Sequence, residues 1–156
     1  MLRRALLLAL AGVPALAQEQ PPYLDDRSDG AALVRSYYNA IARQEYARAW
    51  SYFGDTKPVK DFATFAAGYA GTTAIELRTG PVEPEGAAGS LYEAVPVALA
   101  ATGADGKVAV FAGCYVTRLL QPANQEPPFA PLHIETARLH AASAPLEAAL
   151  PADCGD

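Results

Sequence analysis

The chain is predicted to fold as an α+β domain, with three N-terminal helices packed on one face of a curved antiparallel sheet of about four strands. Three observations carry this prediction. Apolar residues recur at helical spacing from Leu33 to Tyr69. From Thr73 onward the period changes to that of strands. An Asp105-Gly106 step then sits between two long apolar runs, a strong hairpin signal. Helices first and strands afterwards is the segregated order of an α+β domain.

The N-terminus reads as an address. Met1-Leu2-Arg3-Arg4, an apolar run over residues 5–11 and a closing Ala15-Leu16-Ala17 have the three parts of a secretory signal peptide, too short to stay in a bilayer as a helix. Cleavage before Gln18 would leave 139 of the 156 residues, enough for one domain with a hydrophobic core. The leader holds Arg3 and Arg4 and no acid, so its removal takes the formal charge from −5 to −7. An acidic chain without a Lys/Arg cluster is poorly suited to nucleic acid or an anionic membrane surface. No cysteine follows the leader for a lipid anchor, so the expected product is soluble, without a membrane anchor, and periplasmic or extracellular. In an oxidising compartment Cys114 and Cys154 read as one disulfide that pins residues 142–156 as a C-terminal tail. A thiol redox function would call for a low-pKa thiolate, and neither cysteine has a Cys-x-x-Cys or basic setting.

Residues 18–28 form a polar, turn-rich leader into the domain, with Ser28 or Asp29 as the first N-cap. Leu33, Val34, Tyr37, Tyr38 and Ile41 make one helical stripe, with Arg35, Ser36 and Asn39 facing away. Tyr46, Ala49, Trp50 and Phe53 make a second stripe after a break at Arg43-Gln44. Phe62, Phe65, Ala66 and Tyr69 make a third, capped by Asp61 and followed by Gly71. Residues 73–79 alternate as a strand. Gly80-Pro81 and Pro84-Glu85-Gly86 then read as turn punctuation. Residues 90–101 and 107–120 flank the hairpin turn, with Pro96 at a bulge or an unpaired edge because it has no N–H to donate. Four prolines make residues 121–131 a stiff loop, and its Pro128-Phe129-Ala130-Pro131 reads as a rim. A last strand spans residues 132–140, and a helical turn falls near 145–150.

This order, with Leu33-Val34-Arg35-Ser36-Tyr37-Tyr38-Asn39-Ala40-Ile41 leading into Tyr46-Ala47-Arg48-Ala49-Trp50-Ser51-Tyr52-Phe53, resembles the nuclear-transport-factor-2-like (NTF2-like, SnoaL-like) superfamily. The likeness covers about residues 29–141. It implies a cone whose sheet wraps the longest helix and leaves a pocket at the open end. The superfamily holds isomerases, dehydratases, cyclases, transport adaptors and domains without catalysis, so the fold alone selects no function. Its enzymes place carboxylates with a Tyr or His partner inside the cone.

Candidate catalytic residues follow from that pattern. His133 and Glu135 lie two apart on one strand and so share a face, as a base and its orienting partner. The bland alternative is a solvated pair or a local hydrogen bond. His140, seven residues on, is placed on the opposite face from His133, and no metal-ligand cluster is read. Glu93 shares the face of Leu91, Val95, Val97 and Leu99, where burial would raise its pKa, or else it reaches water near the strand end. Tyr38, Trp50, Tyr69, Tyr92 and Tyr115 are candidates to line a pocket for an apolar ligand, with core packing as the alternative. No cofactor is implied. The function read from the chain is a non-catalytic exported domain that binds a small apolar ligand or an envelope protein. An isomerase-, dehydratase- or cyclase-type enzyme is one alternative, and a structural module forming a homodimer is the other.

Overall fold

A computed structural model of the protein describes residues 20–155. The signal peptide and the cleavage point at Gln18 lie outside the described residues. Helices α1 (Gly30–Ala42), α2 (Tyr46–Ser51) and α3 (Phe62–Tyr69) precede β1 (Thr72–Thr79), β2 (Glu83–Ala87), β3 (Ser90–Gly103), β4 (Val108–Leu120) and β5 (Leu132–Ala142). A 3-10 turn (Pro122–Asn124) interrupts the proline loop, and a short helix α4 (Leu146–Ala149) lies in the tail.

The sheet is antiparallel throughout, in the order β1-β3-β4-β5, with β2 also paired to β3. It therefore has five strands rather than four. Because β4 runs along one whole edge of β3, β1 and β2 share the other. Thr79 pairs with Val97 and Glu83 with Ala94, which leaves Pro96 in the gap where one partner departs and the next arrives. The Gly80 N–H donates to the Pro96 carbonyl (2.8 Å), so the gap loses no backbone donor.

The core lies between the inner face of the sheet and α1–α3. Leu33, Val34, Tyr37 and Ile41 of α1 are fully buried against Val95, Val97, Tyr115 and Ile134, and α1 touches β1, β3, β4 and β5. Each such side chain contributes about 1.5–3 kcal/mol by leaving water. Asp29 caps α1 by accepting from the Ala32 N–H (2.6 Å), and the Glu93 carboxylate of β3 accepts from the Gly30 N–H. A side chain at Gly30 would collide with Thr117 Oγ1 and Glu93 Oε2, so glycine is what lets the helix start sit on the sheet.

One expectation is corrected on the far side of α1. Ser36 is fully buried and Asn39 half-buried, because residues 20–28 lie along that side of the helix instead of leaving it to solvent. Asp26 N–H donates to Ser36 Oγ (2.7 Å), Leu24 N–H to Asn39 Oδ1 (3.0 Å), and Asn39 Nδ2 to the Pro22 carbonyl (2.8 Å). Arg48 of α2 locks the strap by donating to the Leu24 carbonyl (2.8 Å), Asn39 Oδ1 (2.9 Å) and Glu45 (2.6 Å), with its guanidinium 4.5 Å from the Tyr23 ring centre.

On the outer face, Leu146 with Ala149 and Leu150 packs on Ala98, Ala100, Ala112 and Ala142. Cys114 and Cys154 form the disulfide, with Cα atoms 5.9 Å apart. No helix among the described residues is long and apolar enough to cross a membrane.

The turn joining β2 to β3 has positive φ at both central residues, 47° at Ala88 and 76° at Gly89, the handedness that matches a two-residue hairpin. Alanine is strained there and asparagine is not. Ala88→Asn is expected to raise the unfolding free energy by about 0.5–1 kcal/mol, checked by urea denaturation; a loss of stability would contradict the turn assignment.

Candidate functional site

The chain between α2 and α3 turns back along the free edge of β5. Ile134 N–H donates to the Tyr52 carbonyl (2.7 Å) and Gly54 N–H to the Ile134 carbonyl (3.1 Å), a parallel bridge one residue long. Beside it opens a cleft of about 560 Å³ between residues 51–57, the ends of β4 and β5, and the proline loop. Arg118, His133 and Glu135 line it, with Asp55, Lys57 and Glu126 at the sides and Phe53, Leu120 and the loop prolines as its apolar walls.

A β-bulge shapes this site. Val116 pairs with Thr136 but Thr117 pairs with Ile134, so Glu135 is an extra residue in β5. The insertion lets Glu135 meet His133: His133 Nε2 lies 3.2 Å from Glu135 Oε2, and Arg118 Nη1 lies 4.0 Å from the same oxygen. It also reverses the parity of the strand beyond it. His133 stands opposite Arg118 and His140 opposite Ala112, two residues of equal parity on β4, so the two histidines share the outer face. The expectation that they lie on opposite faces assumed unbroken alternation and is corrected by the bulge.

His133 is buried, and both of its ring nitrogens are engaged from within the protein. Nδ1 lies 3.2 Å from the Ala130 carbonyl and Nε2 faces Glu135, so each nitrogen meets an acceptor. The ring is pressed against Gly54: a Cβ there would lie 2.8 Å from His133 Nε2 and closer still to Cδ2. Arg118 donates from Nε to Ser90 Oγ (2.9 Å), and its guanidinium carbon is 5.6 Å from the Tyr92 ring centre. Lys57 donates to the Phe53 carbonyl (2.8 Å) over the Trp50 ring (5.4 Å), and burial lowers its pKa from the usual lysine value. The arrangement can hold a ligand between fixed cations, carboxylates and an apolar wall. A neutral imidazole carries one N–H, so only one of the two acceptors facing His133 is served at a time.

The other candidate residues lie elsewhere. Glu93 is committed to the N-terminus of α1. Tyr38 and Tyr115 share a hydrogen bond between hydroxyls (2.7 Å), as do Tyr37 and Tyr69 (2.7 Å). Tyr37, Tyr38 and Tyr115 are buried in one aromatic cluster with Phe53 and Phe65, and burial pushes their hydroxyl pKa values well above the usual tyrosine value. Trp50 packs edge-on to Phe62 and Phe65, and Tyr92 lies under Arg118 on the outer face. Thus Tyr38, Trp50, Tyr69, Tyr92 and Tyr115 are not brought together around the cleft. Arg118, Lys57 and Gly54 are the site residues that sequence reasoning passed over; the Gly54-Asp55 turn and the Arg118 charge in an apolar strand were the available signals. Among the described residues, no group of three or more His, Cys, Asp or Glu is placed to hold a metal ion.

No protein-family model matches the chain, and no curated protein matches it either.

Gly54→Ala is expected to drive the His133 ring from Glu135 and cost about 1–3 kcal/mol, measured by urea denaturation, with the ring resonances of His133 shifting in the NMR spectrum. An unchanged spectrum would remove Gly54 from the site. The buried tyrosines stay neutral in the folded state at pH values where an unfolded tyrosine ionises. Their contribution to stability is therefore complete at neutral pH and is lost as pH rises beyond the ordinary tyrosine range. Absorbance titration at alkaline pH should show Tyr37, Tyr38 and Tyr115 ionising only together with the loss of circular dichroism; smooth titration in the folded protein would contradict it.

Proposed function

We propose that this chain is an exported, non-catalytic binding domain of NTF2-like architecture, and that the cleft at Arg118 and His133 seats its ligand. The observation that carries this reading is the contrast between committed proton carriers and an open cleft. Both nitrogens of His133 face acceptors within the protein, Glu93 holds a helix end, and the buried tyrosine hydroxyls bond to one another, while the 560 Å³ cleft stands open beside them. Three helices before an antiparallel sheet, with α1 lying across β1, β3, β4 and β5, support the family architecture. A disulfide between Cys114 and Cys154 supports export.

The walls refine the ligand class. Phe53, Leu120 and the prolines supply apolar surface, whereas Lys57, Arg118 and three carboxylates supply charge of both signs. That mixture favours an amphipathic ligand, a small molecule with an apolar body and a polar end or a peptide segment of an envelope partner, over a purely apolar one.

Native mass spectrometry of the oxidised protein from an exporting host tests the reading. The expected result is a constant mass increment that denaturing extraction removes and that Arg118→Ala loses while it keeps the circular dichroism spectrum of the folded protein. A bare chain mass, with wild type and Arg118→Ala alike failing to bind any of a panel of fatty acids and short peptides, would overturn it.

A further inference from the structure

The C-terminal tail is a separate layer on the outer face of the sheet. Among the described residues, no backbone hydrogen bond joins residues 143–155 to any strand. The segment is held by Leu146 with Ala149 and Leu150 on the alanines beneath, by an exposed Arg78–Glu147 pair at 3.8 Å, and by the Cys114–Cys154 bond at its far end. The main core lies on the opposite face and includes no tail residue.

A second cleft, of about 420 Å³, opens beside that bond. Cys154 lines it and Cys114 does not. Glu83 and Glu85 of β2 and Asp153 bring three carboxylates to its rim, and no lysine or arginine lines it. A thiol that enters therefore approaches the bond from the side of Cys154, in a negative field.

We propose that the Cys114–Cys154 bond is a thiol-exchange site, opened through this cleft by an uncharged or cationic thiol reductant, and that its reduction releases residues 143–155 from the sheet. The attacking thiolate bonds to Cys154 Sγ as the Sγ–Sγ bond breaks, and the electron pair leaves on Cys114 Sγ, which takes up a proton. A second thiol of the reductant attacks its own sulfur in the mixed disulfide and expels the Cys154 thiolate, which is also protonated. The reductant ends as a disulfide, and two electrons have passed to the protein. The protein is the substrate of this exchange, so it needs no Cys-x-x-Cys of its own. The carboxylates select the reductant, because a carrier with a further negative charge beyond its attacking thiolate is repelled more strongly at the cleft than one without it.

Initial exchange rates on the folded protein, trapped by alkylation and read by mass spectrometry, test the entry route with 2-mercaptoethanol against 2-mercaptoethanesulfonate at matched thiolate concentration. The sulfonate should react at least about fivefold more slowly at low ionic strength, with the gap narrowing in salt and in Glu83→Gln/Glu85→Gln. Hydrogen exchange after reduction by dithiothreitol tests the release: protection of the Ala148 and Ala149 amides, which donate to the Pro145 carbonyl, should vanish while that over residues 90–102 persists. Equal rates for the two thiols would overturn the proposed route. A tail that keeps its protection when reduced, or a loss of protection across the whole sheet, would overturn the release.

Discussion

Helix α1 is buried on nearly every side, and that is tolerable only because each polar group around it finds a partner elsewhere in the chain. Asp29 and Glu93 take two of the N–H groups at its start, Ser36 and Asn39 meet the backbone of residues 22–26, and the hydroxyls of Tyr37 and Tyr38 pair with Tyr69 and Tyr115. A single unmet donor there would cost about 1–3 kcal/mol, as much as burying one of the leucines contributes. Among the described residues, no buried side-chain nitrogen or oxygen lacks a partner. Sheet, strap and second helix all take their positions from this requirement. Arg48 shows the coupling most directly, because one guanidinium ties α2 to both the strap and α1.

The same economy gives several of the candidate catalytic residues a partner within the fold. A carboxylate among aliphatic neighbours needs a donor, and Glu93 finds one in the first N–H of a helix. Asp25 on the strap shows the same balance at a carboxylate outside the candidate set. Burial acts to raise its pKa, but hydrogen bonds from Arg27 and Tyr52 outweigh that and hold the carboxyl below its usual range. The polar side chains that line the open cleft sit where the sheet ends, on a bulge and a loop rather than in the aromatic core.

Local pattern made much of the fold legible. The stripes of α1, α2 and α3, the Asp61 cap with its bond to the Thr64 N–H, the Asp105-Gly106 hairpin and the place of Pro96 on an unpaired stretch of edge all follow from short-range chemistry. Strand β2 was hidden because all five of its residues are exposed and two are Pro84 and Gly86; its extended state comes from pairing with β3, which no local period records. The strap was hidden differently. Its composition is that of a loop, and contacts with residues ten or more positions on, Ser36, Asn39 and Arg48, give it a place. The Glu135 bulge defeats period-two reading altogether, since one inserted residue exchanges the faces of everything after it. The cleft was illegible for the same reason, being assembled from that bulge, a glycine turn and the end of a neighbouring strand.

The gap at Pro96 bears on how such a sheet can change over evolutionary time. Strand β3 serves β1 with one half of its edge and β2 with the other, and the residue at the changeover has no donor to leave stranded. Lengthening, shortening or losing the β2 hairpin would therefore leave the β1 ladder and the helical layer above it intact. The acidic β2 beside the disulfide is thus a module that descendants of this chain could vary independently of the core, with the proline as the seam along which the sheet is divided.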